Sequence, residues 1–420
     1  MTKFQYYTIA ICLLMNILDG IDVLIISYSA PDIISNLNIN PKELGVVFSG
    51  GLLGMAIGAL FLAPYADIIG RKKIIIISAV IMGSCIVITA FTENITQLVL
   101  IRLITGVGIG SMLATTATLI SECVPKKSKD FWVSVVLSGY PIGAVLSGYV
   151  ATIIIPTYGW RTLFLLAGFS TLLTIPIIYI FLDESVEFYL KKQPKDALNK
   201  VNQILTKMKL SKLEKLPKIK LNNNSQKLVS KLFSDTYKIS TLLLWASLFF
   251  SFGCLYFLIS WIPKLSTDAG LSIELAIYAG TIFNVGAFFG IILQGYCSSK
   301  FGLKKTISFF FLMTFLLMST FKIFVGSNLI FIIFLFLGFS LQGGFVGLYA
   351  IAASLYSTEI KSTGVGWAIG IGRFGAIAGP LIGGYFVSMN YSISTNFLIF
   401  SLTALFAALL TYFIPSKNIS

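Results

Sequence analysis

Four ionisable residues stand inside long apolar stretches, where charge is costly unless it is paired or useful: Asp19, Asp22, Arg102 and Arg373. Asp19 and Asp22 are three residues apart, so on a helix they occupy neighbouring positions of one face. Two close carboxylates resist carrying charge together, so the pair can hold a proton and release it when its surroundings become wet. The competing reading is structural: acceptors for N–H groups, or one half of an ion pair with a neighbouring helix. Arg102 is permanently charged and needs an anion, which Asp19, Asp22 or a bound substrate could supply; its alternative is a helix-packing role. Arg373 is surrounded by Gly370, Gly372 and Gly375, whose small size lets a ligand or a facing helix approach the backbone. Its planar five-donor fork suits a carboxylate, either a substrate's or that of a first-helix aspartate. Tyr140, Gln342 and Tyr349, with Tyr256 and Trp367, are polar or aromatic groups that could line a cavity beside these charges. Trp160 and Trp261 read as membrane-interface anchors.

Other chemistries are excluded by what the chain lacks. It has no histidine, so a proton carried through the cycle must ride on a carboxylate. Its five cysteines are scattered without CxxC or metal-ligand spacing, and no metal or cofactor is expected. Neither a nucleophile triad nor a phosphate-binding glycine loop followed by Lys-Ser/Thr occurs, so the chain is not expected to be an enzyme or an ATPase.

The elements that must position these residues follow from composition. Of 420 residues, 56% are hydrophobic and 11% charged, too little polar surface to cover a water-soluble globule. The apolar residues come in blocks of about twenty, the length that crosses a bilayer as helix. Twelve spans are predicted, at 7–30, 44–66, 74–92, 97–121, 131–155, 161–182, 239–263, 273–297, 306–325, 328–356, 362–388 and 395–414. The fold class is all-α, with an N-terminal six-helix half at 1–182, a basic linker at 183–238 and a C-terminal half at 239–420. The linker holds thirteen lysines and six acidic residues. Outside it, twelve Lys or Arg fall in loops on the N-terminal side of the membrane and four on the other side. This bias places both termini and the linker in the cytoplasm and the protein in the inner membrane. The net charge of +14 therefore reads as a topology signal against lipid headgroups, not as a nucleic-acid footprint.

The two halves echo one another. Gly70-Arg71-Lys72-Lys73 follows the second span and Gly302-Leu303-Lys304-Lys305 the eighth; Gly143 to Gly148 has a counterpart in Gly375 to Gly379. Paired six-helix halves are a common way to build a secondary transporter. Asp67, Arg71 and Glu359 fall at the cytoplasmic rim, where an ion pair made in one state and broken in another biases a conformational equilibrium. Asp67 could accept from Arg71 or face the N-terminus of the eleventh span. Glu122 and Glu184 could act similarly.

Several stretches resemble the major facilitator superfamily. Ala63-Pro64-Tyr65-Ala66-Asp67-Ile68-Ile69-Gly70-Arg71-Lys72-Lys73 is similar to its loop between second and third helices, with Ala63 and Ile68 departing from the usual Gly and Arg. Arg102-Leu103-Ile104-Thr105-Gly106-Val107-Gly108-Ile109-Gly110 resembles its fourth-helix motif. Asp183-Glu184-Ser185 resembles Pro-Glu-Ser at the end of the first half, and Ser299 replaces the aspartate of the second-half loop. Asp19-Gly20-Ile21-Asp22, Ala30-Pro31-Asp32 and the run from Ala352 to Trp367 and on to Arg373 resemble the aromatic acid:proton symporters, with Ile21 where an aromatic is usual and Ser357 where proline is usual. The resemblance implies proton-coupled uptake of a small, aromatic organic anion by a monomeric carrier. Asp19 and Asp22 would serve the proton, Arg373, Arg102, Tyr140, Gln342 and Tyr349 the substrate, and Asp67, Arg71 and Glu359 the cytoplasmic gate. A carrier of nicotinate-like or aliphatic acids, a drug exporter and a non-transporting sensor are the alternatives.

Overall fold

The structure, a computed structural model, describes residues 1–125, 129–217, 231–327, 329–357 and 360–415. Its long helices are α1 (Lys3–Tyr28), α2 (Pro41–Ile57), α3 (Arg71–Thr89), α4 (Ile95–Cys123), α5 (139–158), α6 (160–181), α7 (Lys238–Asp268), α8 (Ile273–Phe301), α9 (Leu303–Ser319), α10 (Ile330–Leu355), α11 (Lys361–Ser388) and α12 (Ile393–Phe413). α5 and α6 form one helical run broken at Gly159, whose φ of 74° and ψ of 168° are conformations glycine adopts without strain. The chain is a multi-pass membrane protein, and the all-α class with twelve long helices is as expected. α9 has 17 residues and spans about 25 Å, near the lower limit for crossing hydrocarbon.

α2 does not end cleanly. Pro64 cannot donate a backbone hydrogen bond, and the ladder ahead of it re-registers as a π-turn over Gly58–Leu62 and a 3-10 turn over Ala63–Tyr65. A last turn, Ala66–Ile69, carries Asp67, and Gly70 with φ +112° then reverses the chain into α3. Gly302 stands at the same junction between α8 and α9 with φ +87°. The internal repeat therefore extends to backbone conformation.

The chain divides into two compact units. The first comprises Met1–Val23, Gly50–Ser147 and the chain from Tyr158 into the linker; the second comprises Leu24–Ser49, Gly148–Thr157 and the chain from the linker onward. Within the first, Gly20 and Gly143 bring α1 and α5 together: a Cβ on either would lie about 2 Å from the carbonyl of Tyr140 or Ile17. In the second unit Gly375 presses α11 on the Phe249 carbonyl of α7 in the same way. Gly54 and Gly106 join α2 to α4, as Gly286 and Gly338 join α8 to α10. Without hydrophobic driving force between helices in lipid, such close backbone approach supplies the packing.

The second unit also ties α1 and α2 to α7 and α11 beside the prolines inside those helices. Pro263 cannot donate to the Ile259 carbonyl one turn back, and the Ser27 hydroxyl donates to it instead at 2.6 Å. Near Pro380 of α11, the Ser49 hydroxyl donates to the Ile377 carbonyl at 2.7 Å.

Two expectations are corrected here. Trp160 and Trp261 are not interface anchors, being 1% and 0% exposed. Trp261 fits against Gly383 and Gly384, stands edge-on to Phe48, and donates its indole N–H to the Pro380 carbonyl at 3.1 Å. Trp160 stands edge-on to Phe164 with the Arg161 guanidinium 4.6 Å from its ring centroid.

Candidate functional site

In the first unit, α1 and α4 bring Asp22 to Arg102. Nη1 of Arg102 donates to Oδ1 of Asp22 at 2.9 Å, and Nη2 lies 3.4 Å from the Asp22 carbonyl. Asp22 is 0% and Arg102 4% exposed, so the pair is dry. The second Asp22 oxygen, Oδ2, is buried with no hydrogen-bond partner among the described residues. Of the two aspartates expected as partners for Arg102, the structure pairs it with Asp22. Asp19 lies one turn earlier on α1 and is 1% exposed. Tyr140 belongs to α5, with its carbonyl against Gly20.

At the other end of the same unit, the loop after α2 is an ionic knot. Arg71 is 2% exposed, and its Nη2 contacts Asp67 Oδ1 at 2.6 Å and Glu122 Oε1 at 3.0 Å. Its Nη1 donates to the Ala66 carbonyl at 3.2 Å, capping the last turn before Gly70. Glu122 also accepts from the Ser185 hydroxyl. Oε1 of Glu184 accepts from the backbone N–H of Arg71 at 2.7 Å and of Ser185 at 3.0 Å. Asp67 thus accepts from Arg71, the first of its two expected arrangements. Glu184, in the loop beyond α6, is held above the ordinary carboxylate range by burial, against the opposing pull of N–H groups from Ser185, Lys72 and Arg71. Its proton is therefore bound more tightly in the fold than in the unfolded chain. This contribution to stability is complete below the ordinary carboxylate range and is lost as pH rises through the folded value. Glu359 lies outside the described residues.

Gly70 is the steric condition for this knot. A Cβ there would stand 2.1 Å from Oε2 of Glu184, whereas Gly302 has open space around the equivalent position. Both glycines have positive φ, so replacement by alanine strains either by about 1–3 kcal/mol. Gly70→Ala must also displace Glu184 from the N–H groups it holds. Thermal unfolding of the purified variants should therefore show a larger loss for Gly70→Ala than for Gly302→Ala. Equal losses would mean that Glu184 contributes nothing to the loop.

In the second unit Arg373 of α11 sits within an aromatic enclosure. Its guanidinium carbon is 5.6 Å from the centroid of the Phe252 ring, and Nη1 lies 3.5 Å from the Tyr256 hydroxyl. Phe252 stacks on Tyr256 at 6.0 Å and stands edge-on to Phe345 at 4.7 Å; Phe345 is edge-on to Tyr349 at 5.3 Å. Tyr349 lies within electrostatic reach of both Arg373 and Tyr256. Gly372 permits this arrangement, since a Cβ there would come within 2.4 Å of the Phe252 ring. A cation walled by ring faces and edges, with two phenol hydroxyls, offers a carboxylate a bidentate partner and an aromatic ring a stacking surface. Gln342 is also on α10. Trp367 stacks on Trp245 at 6.0 Å, more than a turn from Arg373, and is exposed.

The structure thus brings together Arg373, Tyr256 and Tyr349 in one unit, and Asp22 and Arg102 in the other. The sequence reading missed Phe252 and Phe345. Their signal was spacing: Phe252 precedes Tyr256 by four residues, and Phe345 lies between Gln342 and Tyr349 at helical intervals.

A bundle of apolar helices built from an internal repeat, with a dry ion pair and a cation among rings, has the organisation of a polytopic solute carrier. The sequence pattern of the Major Facilitator Superfamily matches residues 12–295 and 244–419, and the chain belongs to that superfamily. The benzoate transport protein of Acinetobacter baylyi is 30% identical over 428 residues, covering 100% of this chain and 91% of that one. The 4-hydroxybenzoate transporter PcaK of the same species is 31% identical over 403 residues, covering 93% and 87%. The fold is similar to that of the xylose transporter XylE from E. coli in a partially occluded inward open conformation. The TM-score is 0.76 at 16% identity, covering 98% of this chain and 100% of that one. The chain is therefore a membrane transporter and not an enzyme.

Proposed function

We propose that this protein takes up a small aromatic carboxylate in symport with protons, by alternating access, as a monomer in the inner membrane with both termini cytoplasmic. The observation that carries the substrate class is Arg373 among Phe252, Tyr256, Phe345 and Tyr349. Full-length similarity to carriers named for benzoate and 4-hydroxybenzoate points the same way. Arg373 takes the carboxylate, and Phe252 and Phe345 take the ring. The six-helix halves, 1–182 and 239–420, are the moving bodies, and linker 183–238 joins them on the cytoplasmic side. The Asp67–Arg71–Glu122–Ser185 knot stabilises one of the two states, because its interactions bias the equilibrium by whatever they lose in the other.

Proton coupling falls to Asp19 and Asp22. One oxygen of Asp22 is held by Arg102 and the other has no hydrogen bond among the described residues, so it is the atom placed to gain a proton. Protonation of Asp22 would weaken its hold on Arg102 and change the charge balance of α1 against α4. The test is uptake into proteoliposomes with Asp19→Asn and Asp22→Asn, each a permanent mimic of the protonated acid. At least one should abolish accumulation driven by an imposed pH gradient while leaving exchange between equal substrate pools largely intact. Normal accumulation in both variants would make the aspartates structural.

A further inference from the structure

We propose that the side-chain oxygen of Asn16 accepts a hydrogen bond from protonated Asp19 and so holds that acid in its proton-loaded form. This rests on the reading of Asp19 as a proton carrier, and it makes Asn16 a positioning residue for coupling. Asn16, Asp19 and Asp22 stand at i, i+3 and i+6 of α1, each about 60° around the axis from the last. Both ends of this stripe meet α4: Asn16 Nδ2 lies 3.3 Å from the Thr116 hydroxyl, and Asp22 pairs with Arg102. Asp19, between them and 1% exposed, lies along the same seam. Side chains on a helix lean toward its N-terminus, so the Asp19 carboxyl is directed to the turn that carries Asn16.

The Asn16 amide is fixed in orientation and incomplete. Nδ2 donates to the Cys12 carbonyl at 2.9 Å and to the Thr116 hydroxyl, which gives its own hydrogen to the Met112 carbonyl at 2.9 Å. Both amide hydrogens are therefore engaged, and turning the amide over would set its oxygen against the Cys12 carbonyl. Oδ1 is buried and has no hydrogen-bond partner among the described residues. α5 closes over the residue without a side chain, since a Cβ on Gly139 would stand 3.0 Å from that of Asn16. A buried acceptor left unmade is costly, and a protonated carboxyl one turn away supplies the donor it lacks, which a carboxylate does not. Asn284 and Asn396 also carry an unpartnered Oδ1, but Ala287 and Ile399 stand at their i+3 positions, so neither has an acid there. Asp19 and Asn16 thus form a second proton station, on the N-terminal side of Asp22. The other ionisable groups around it are Cys12 and Asp22 on α1, Arg102 and Cys123 on α4, Cys85 on α3 and Tyr140 on α5. α6 meets this stretch through Thr174 on Met15.

The test is infrared difference spectroscopy of the purified full-length protein during acid titration, reading the band of buried protonated carboxyl groups. The part of that band which Asp19→Asn removes belongs to Asp19. In Asn16→Leu its midpoint should move to lower pH by an amount equal to about three- to tenfold weaker proton binding, the contribution of one buried hydrogen bond. Asn16→Thr, which is smaller and keeps an acceptor oxygen, should recover part of the shift. Asn16→Leu should unfold at the same temperature as the wild type, because the Thr116 hydroxyl keeps the Met112 carbonyl and the Cys12 carbonyl keeps its helical N–H. An Asp19 midpoint unchanged in Asn16→Leu overturns the proposal. So does an equal shift in Asn16→Leu and Asn16→Thr, which would trace to packing. If Asp19→Asn removes no part of the band at any pH, Asp19 carries no proton and the underlying reading fails, an outcome separate from the other two.

Discussion

Arg102→Ala should be strongly destabilising, by about 3–5 kcal/mol, because it leaves the Asp22 carboxyl buried without its partner. The pair is 2.9 Å apart, and neither residue is more than 4% exposed. The cost comes from the orphaned charge and not from lost packing, so neutralising both partners should recover most of it. The double variant Asp22→Asn/Arg102→Ala should unfold well above Arg102→Ala in a detergent thermal melt, giving a large non-additive term in the double-mutant cycle. Additive losses would show that Arg102 acts through packing alone. The same cycle separates stability from coupling, because the double variant should fold yet fail to accumulate substrate against a pH gradient.

The second large effect concerns Arg373. Arg373→Lys keeps the positive charge and loses the planar fork, so the affinity for an aromatic carboxylate should fall at least tenfold, about 1.4 kcal/mol. Arg373→Ala should fall further. Neither should approach the instability of Arg102→Ala, because Arg373 is half-buried beside rings and a hydroxyl at 3.5 Å. Unchanged affinity in Arg373→Lys would move the carboxylate to another cation.

What was legible in the sequence was whatever depends on composition and spacing along one helix. Twelve apolar blocks, the Gly70 and Gly302 echo, and charges inside apolar blocks at Asp22, Arg102 and Arg373 all follow from that local record. The choice between Asp19 and Asp22 as the partner of Arg102 did not, because it depends on the rotation of α1 against α4. Trp160 and Trp261 were misread for a related reason. A tryptophan near a helix end has the same local signature whether it meets headgroups or a facing helix. What decides the case for Trp261 is Gly383 and Gly384, more than a hundred residues away, which leave room for its indole. Phe252 and Phe345 were hidden in another way. Among 35 phenylalanines, mostly lipid-facing or core, two that meet over a cation carry no distinguishing mark until α7, α10 and α11 are assembled.

The central claim is that a ring, not merely a carboxylate, is recognised beside Arg373. The direct measurement is the dissociation constant of the purified protein for benzoate, 4-hydroxybenzoate and cyclohexanecarboxylate, the last matching the others in charge and approximate size but lacking a π face. At least one of the two aromatic acids should bind ten or more times tighter than cyclohexanecarboxylate, and that preference should shrink in Phe252→Leu. Equal binding of the saturated and aromatic acids, or no binding of either aromatic acid at millimolar concentration, would contradict the account.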